Sequence, residues 1–276
     1  MQPKLGILAG GGELPALLIE ACRNAGRDFF VIAFEGQTDE SLVTGDVPHA
    51  WIRLGAAGKT MKTLKKQDVK ELVMAGAIRR PGLKDLRPDL WGAKFLARTG
   101  AASLGDDGML KALIRALEEE GFSVIGVDEL LPRVLAPEGP LGSLTPDNNS
   151  LVEVEKGVQA ALALGSEDIG QGAIIRGGKV LALEDANGTD AMLAGIQPEG
   201  EKPSGILVKV SKPGQETRAD LPTIGPNTVK SVARAGMAGI AVEAGRSLVI
   251  AIEDVVKAAD AAGVFVIGIR VPEDTS

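Results

Sequence analysis

Between Lys209 and Thr228 the chain reads KVSKPGQETRADLPTIGPNT. Lys212, Gln215, Glu216, Arg218, Asp220 and Thr223 crowd into this stretch, and Pro213, Gly214, Pro222, Gly225 and Pro226 interrupt its backbone. No helical or strand period fits, so the segment reads as a loop with a dense polar inventory. A magnesium-dependent phosphoryl site needs such parts. It needs a carboxylate to hold metal or water, and Lys or Arg to neutralise charge developing on phosphate. The bland alternative is a solvated surface loop.

A second candidate is the turn Gly10-Gly11-Gly12-Glu13-Leu14-Pro15. Glycines let a backbone approach a ligand closely, and free N–H groups at a helix start favour phosphate. The dinucleotide fingerprint wants a third glycine where Pro15 stands, so the turn is a weak NAD signature. It would serve equally as a tight βα turn without a ligand. Glu184, Asp185, Asn187, Gly188, Thr189 and Asp190 form a third group, which either joins the loop's chemistry or caps a helix starting at Thr189 or Asp190. Asp106 or Asp107 reads as a helix cap. Arg79-Arg80-Pro81 follows a strand and could clasp a phosphate, or simply be solvated. His49 and Cys22 read as structural, the latter as a small buried hydrophobe.

Composition removes whole classes of function. With one Cys and one His in 276 residues, no intrachain disulfide and no site built on several His or Cys ligands can form. A Ser-His-Asp hydrolase is unsupported for the same reason. Any metal should be a hard cation on oxygen ligands, most simply magnesium. A net charge of -7, no Tyr and two Trp argue against nucleic-acid binding. Apolar runs fall short of the ~18 residues a membrane span needs, and the first residues lack a signal-peptide pattern, so a cytoplasmic protein is expected.

The elements that must position these residues alternate in kind. Residues 4–9 and 29–34 read as buried parallel strands around a helix at 13–25 that stops at Gly26. Strands at 50–54, 71–76 and 122–127 follow, with helices at 57–67 and 105–121. The Pro-, Gly- and Ser-rich stretch 132–150 is the best domain boundary. Beyond it come a helix at 151–164, a hairpin at 173–184 turning on Gly177-Gly178, strands at 205–210 and 263–269, and helices at 227–236 and 252–262. The expected class is α/β: a parallel-sheet domain over 1–133, a linker over 134–150 and a mixed α/β domain over 151–276.

Six motifs converge on one family: LGILAGGGELP near the start, AGAIRRP at 75–81, GDDGML at 105–110, DIGQGAII at 168–175, NGTDAML at 187–193 and KPGQETRADLPTIG at 212–225. From end to end the chain resembles the bacterial LpxI-type UDP-2,3-diacylglucosamine pyrophosphatases of lipid A biosynthesis. The resemblance implies a Rossmann-like N-terminal domain, a C-terminal α/β domain peculiar to the group, and an active site between them. It implies hydrolysis of UDP-2,3-diacylglucosamine to UMP and 2,3-diacylglucosamine 1-phosphate (lipid X), with a divalent cation, usually magnesium. The essential aspartate of its DLPTIG motif corresponds to Asp220.

On that footing Asp220 holds or orients a magnesium-activated water, with Glu216 and Asp190 as further metal or water contacts. Lys212 and Arg218 balance pyrophosphate charge. Gln215 and Thr223 hydrogen-bond the substrate, and Gly188 and Thr189 lie beside them. Gly10, Gly11, Gly12 and Arg79 contact nucleotide or phosphate. An amphiphilic substrate adds an expectation of brief, peripheral contact with the inner membrane surface. The competing readings are an NAD-dependent oxidoreductase and a non-catalytic nucleotide or lipid-sugar binding protein.

Overall fold

The computed structural model describes residues 2–79, 86–100, 105–200 and 202–272. Its contacts divide the chain into two compact units. The first runs to Pro132 and includes Glu216–Ala219, and the second comprises Arg133–Gln215 and the chain from Asp220 onward.

The first unit is a five-stranded sheet in the order β3-β2-β1-β4-β5. Its strands are β1 (Leu5–Ala9), β2 (Phe29–Phe34), β3 (His49–Ile52), β4 (Glu71–Ala75) and β5 (Ser123–Val124), and every pairing is parallel. LGILA and FFVIAF are buried at every position, as expected of strands covered on both faces. The helices are α1 (Leu14–Ala25), α2 (Ala57–Lys66), α3 (Leu90–Thr99), α4 (Asp106–Glu119) and the single turn α5 (Val127–Leu130). Ile114 and Leu117 of α4 and Leu64 of α2 join Phe30, Ile32, Ile52 and Leu72 in one core. This order, with β1 and β4 at the reversal, is that of doubly wound folds, as the strand-helix alternation predicts.

The second unit is built on a six-stranded mixed sheet, β6-β13-β11-β9-β7-β8, with a separate two-stranded sheet of β10 and β12. The strands are β6 (Gly139–Pro140), β7 (Gly172–Arg176), β8 (Lys179–Leu183), β9 (Ile206–Lys209), β10 (Thr223–Ile224), β11 (Gly239–Glu243), β12 (Leu248–Val249) and β13 (Phe265–Ile269). β9, β11 and β13 run parallel, whereas β7 opposes β9 and β8. Helix α6 (Asn148–Ser166) covers one face, packing Val154 and Ala161 on Ala173, Ile206, Val208 and Phe265. Helices α8 (Pro226–Arg234) and α9 (Ile252–Ala262) cover the other, with Val229, Val232, Val255 and Ala259 on Leu207, Ile240 and Val242. The short helix α7 (Gly188–Ala194) follows β8.

One boundary differs from the sequence reading. Residues 134–150, expected as a linker, are part of the second unit. β6 pairs antiparallel with β13, Leu135 bridges to Leu248, Ser143 N–H donates to Asp260 at 2.8 Å, and Asp147 caps α6 by accepting from Ser150 N–H. Gly139-Pro140 forms an edge strand and Asp147 a cap, so the stretch is not a free connector.

Candidate active site

Strand β9 ends on Lys209, and the chain leaves the sheet through Ser211 and Lys212, both buried. Lys212-Pro213-Gly214-Gln215 then closes a turn in which Gln215 N–H donates to the Lys212 carbonyl at 3.1 Å. Proline at the second position and Gly214 at φ 66° give it the type II pattern. The Gln215 side chain folds back so that Lys212 N–H donates to its Oε1 at 2.9 Å. With that oxygen committed, Nε2 faces the other way and donates to Asp220 Oδ2 at 2.6 Å and to Gln171 Oε1 at 3.3 Å. Lys212 Nζ pairs with Asp168 Oδ1 at 2.7 Å.

A second buried group lies at the end of β9. Lys209 Nζ donates to Thr189 Oγ1 at 2.7 Å and to the Thr223 carbonyl at 3.4 Å, and lies 3.8 Å from Glu184 Oε1. The Thr189 hydroxyl donates in turn to Glu184 Oε1, while Gln171 N–H donates to Glu184 Oε2 at 3.0 Å. Gln171 therefore joins both groups, by its backbone to Glu184 and by its amide to Gln215. The glycines around it permit this. A Cβ on Gly170 would lie 2.5 Å from the Glu184 carbonyl, and one on Gly172 would lie 3.0 Å from Glu184 Oε2. The sequence gives Gln171 and Asp168 no role beyond their place in the DIGQGAII motif, and Lys209 none beyond opening the stretch to Thr228.

Of the residues expected to act together, the second unit brings Gln215 to Asp220 and contains Lys212, Gly188, Thr189, Asp190 and Thr223. Asp190 is exposed in the first turn of α7, and the exposed Thr223 donates its hydroxyl to the Leu221 carbonyl at 2.9 Å. Gly188, with φ 82°, is the first residue of α7, which begins one residue ahead of Thr189 and two ahead of Asp190.

Glu216 and Arg218 belong to the first unit, and they chiefly engage each other. Arg218 Nε and Nη2 grip the two Glu216 oxygens at 2.8 Å each, and Nη1 reaches Glu118 Oε1 at 2.7 Å. The guanidinium holds the Glu216 carboxyl below its ordinary range, against the opposing effect of burial. Glu216 N–H donates to Asp107 Oδ1 at 2.8 Å, and Lys111 pairs with the same carboxylate. Asp106 and Asp107 are thus not caps. Gly105 occupies the cap position of α4 with no side-chain bond, and the aspartates lie in the first turn, where negative charge suits the helix dipole.

The glycine turn is tied into the first unit. Its N–H groups are used within the unit: Gly10 donates to the Ala75 carbonyl at 2.8 Å, Gly11 to Ala77 at 2.9 Å and Gly12 to Asp39 Oδ2 at 3.3 Å. A Cβ on Gly10 would fall 2.5 Å from the Ala77 carbonyl. Close approach to the chain after β4 is what Gly10 serves, whereas Gly12 takes φ 89° with open space where a Cβ would lie. Arg79 is exposed, and its backbone exchanges hydrogen bonds with the Gln37 amide. Arg80 and Pro81 lie outside the described residues. Cys22 is buried on α1, and burial pushes its thiol upward.

Magnesium binds proteins through one or two carboxylates, completing its shell with substrate phosphates and water. Asp220, anchored through Oδ2, fits that sparse mode. Among the described residues, no group of three or more His, Cys, Asp or Glu is arranged to enclose an ion alone.

Comparison with known proteins adds an independent finding. Residues 4–134 match the family model of the LpxI N-terminal domain, and residues 137–267 match that of the LpxI C-terminal domain. The chain is 41% identical over 274 residues to the UDP-2,3-diacylglucosamine pyrophosphatase LpxI of Caulobacter vibrioides, covering 96% of this chain and 97% of that one. Among solved structures, N5-carboxyaminoimidazole synthase from Aspergillus clavatus aligns with 67% of this chain and 42% of its own at 10% identity and a TM-score of 0.26. A Thermus thermophilus UDP-glucose 4-epimerase aligns with 99% and 88% at 12% identity and a TM-score of 0.32. Scores this low support no inference.

Proposed function

The chain belongs to the LpxI family, and from that premise we propose that it hydrolyses the pyrophosphate bond of UDP-2,3-diacylglucosamine, releasing UMP and 2,3-diacylglucosamine 1-phosphate. The observation that carries the reading is full-length likeness to a pyrophosphatase, joined to a carboxylate, Asp220, held from below by a buried amide.

In the proposed reaction water attacks the β-phosphorus, the bond from that phosphorus to the bridging oxygen breaks, and UMP leaves. Asp220 orients the water and accepts its proton. Lys212 offsets phosphate charge, as does Arg218 through the part of its guanidinium not taken by Glu216 and Glu118. A magnesium ion held by Asp220 would supply charge neutralisation and a more acidic bound water. Among the described residues no helix is long and apolar enough to cross a membrane. The substrate's acyl chains call for brief, peripheral contact with a membrane surface.

Incubating the purified protein with UDP-2,3-diacylglucosamine, with and without magnesium, and measuring UMP tests the reading. Magnesium-dependent UMP release is expected, with oxygen label from water appearing in the sugar phosphate. No UMP under either condition would refute the activity, and label in UMP would reverse the point of attack.

A further inference from the structure

We propose that Gln215 is a positioning residue, acting through Asp220 rather than on the substrate. This rests on the role proposed for Asp220. On the footing of the resemblance Gln215 is expected to hydrogen-bond the substrate, but the geometry commits its amide elsewhere. The side chain is 6% exposed. Its oxygen accepts Lys212 N–H at 2.9 Å, which fixes which end of the amide is which. Its nitrogen then has two acceptors within reach, Asp220 Oδ2 at 2.6 Å and Gln171 Oε1 at 3.3 Å. A primary amide nitrogen has two hydrogens, so both are engaged and none remains for a ligand.

The chain path gives this bond a further consequence. Gln215 is the last residue of the second unit before Glu216–Ala219 pass into the first, and Asp220 is the first residue on return. The Gln215–Asp220 bond ties the two ends of that excursion together. The Pro213-Gly214 turn sets Gln215 in place, and Gln215 sets Asp220. Three features of sequence thus converge on one carboxylate: a type II turn, a buried amide and a neighbouring glutamine between two glycines.

Two variants separate the amide's two ends. Gln215→Met keeps length and removes both polar ends. Gln215→Glu keeps an acceptor for Lys212 N–H, removes the amide donor to Asp220 and Gln171, and sets a second carboxylate beside Asp220. Steady-state kinetics with UDP-2,3-diacylglucosamine, calorimetric binding of UMP and thermal melting are measured on wild type and both variants. Misplacing a reacting group by about 1 Å costs on the order of 100-fold, so kcat should fall by about that factor in each variant. KM and the UMP Kd should stay within about threefold, the signature of an interaction felt only in the transition state. If KM or Kd rises by more than kcat falls, Gln215 contacts the substrate and the proposal is overturned. Unchanged kcat with only a lowered melting midpoint overturns it as well. Should Gln215→Met be unfolded at the assay temperature, Gln215→Glu, which keeps the turn's hydrogen bond, decides. Failure of the wild-type protein to release UMP would sink the proposed activity instead.

Discussion

Replacing Lys209 with Met probes the buried charge pair at the end of β9. The substitution keeps most of the aliphatic stem and deletes the ammonium. Lys209 is 6% and Glu184 7% exposed, and their charged atoms lie 3.8 Å apart with the Thr189 hydroxyl bonded to both. At that separation the attraction is about 4 kcal/mol for an effective dielectric of ~20. In the wild type the cost of taking both charges out of water opposes it. In Lys209→Met only that cost remains for Glu184, because Thr189 and Gln171 N–H supply hydrogen bonds but no counter-charge. Removing one member of a buried pair typically costs ~3–5 kcal/mol. For a protein of this size that is a loss of roughly 6–20 °C in melting midpoint. The assay is thermal and urea unfolding of Lys209→Met, Glu184→Gln and the double variant. The double variant should be markedly more stable than the sum of the single losses predicts. Additivity to within ~0.5 kcal/mol would mean that the two charges do not sense each other, and the buried-pair reasoning would be wrong.

Two further outcomes follow from the first unit. Arg218 depresses the Glu216 carboxyl, so the unfolded chain, with a carboxyl near ~4.3, takes up a proton before the folded one does. Glu216 therefore contributes stability above that value, and the contribution is lost as pH falls through the lower folded value. Wild-type melting should drop more steeply between about pH 5 and pH 3 than that of Glu216→Gln, and parallel curves would count against the ion pair. Gly10→Ala forces a methyl to 2.5 Å from the Ala77 carbonyl and 2.7 Å from that of Gly76, both backbone atoms. Overpacking of this kind costs ~1–3 kcal/mol, so the variant should melt earlier, and an unchanged melting curve would contradict the close approach.

Much of the fold was legible because burial on both faces writes continuous apolar runs. LGILA and FFVIAF announce parallel strands without ambiguity. Pro213-Gly214 likewise announces its turn, since proline pre-sets one torsion angle and glycine accepts the left-handed one. Other signals were ambiguous in kind. Glycine marks close backbone approach but not the partner, and only the structure shows Gly10 lying against the chain after β4. Pro/Gly-rich residues 134–150 suggested a linker because short edge strands leave almost no periodicity to read. Asp107 suggested a cap because its type is right, yet its carboxylate serves Glu216 N–H and Lys111. Lys209 and Glu184 stand 25 residues apart in sequence, and only tertiary packing reveals that they share a buried pair. Glu216 and Arg218, two residues apart, spend their charges largely on each other, which spacing alone does not reveal.

Asp220 is the residue on which the proposed hydrolysis turns. Asp220→Asn keeps the side chain's shape and removes its charge. With UDP-2,3-diacylglucosamine and magnesium present, UMP release should fall by on the order of 10³-fold or more, in line with loss of a principal electrostatic or proton-accepting group, while UMP still binds and the melting midpoint stays close to that of wild type. Turnover near the wild-type rate in that folded variant would contradict the account at its centre.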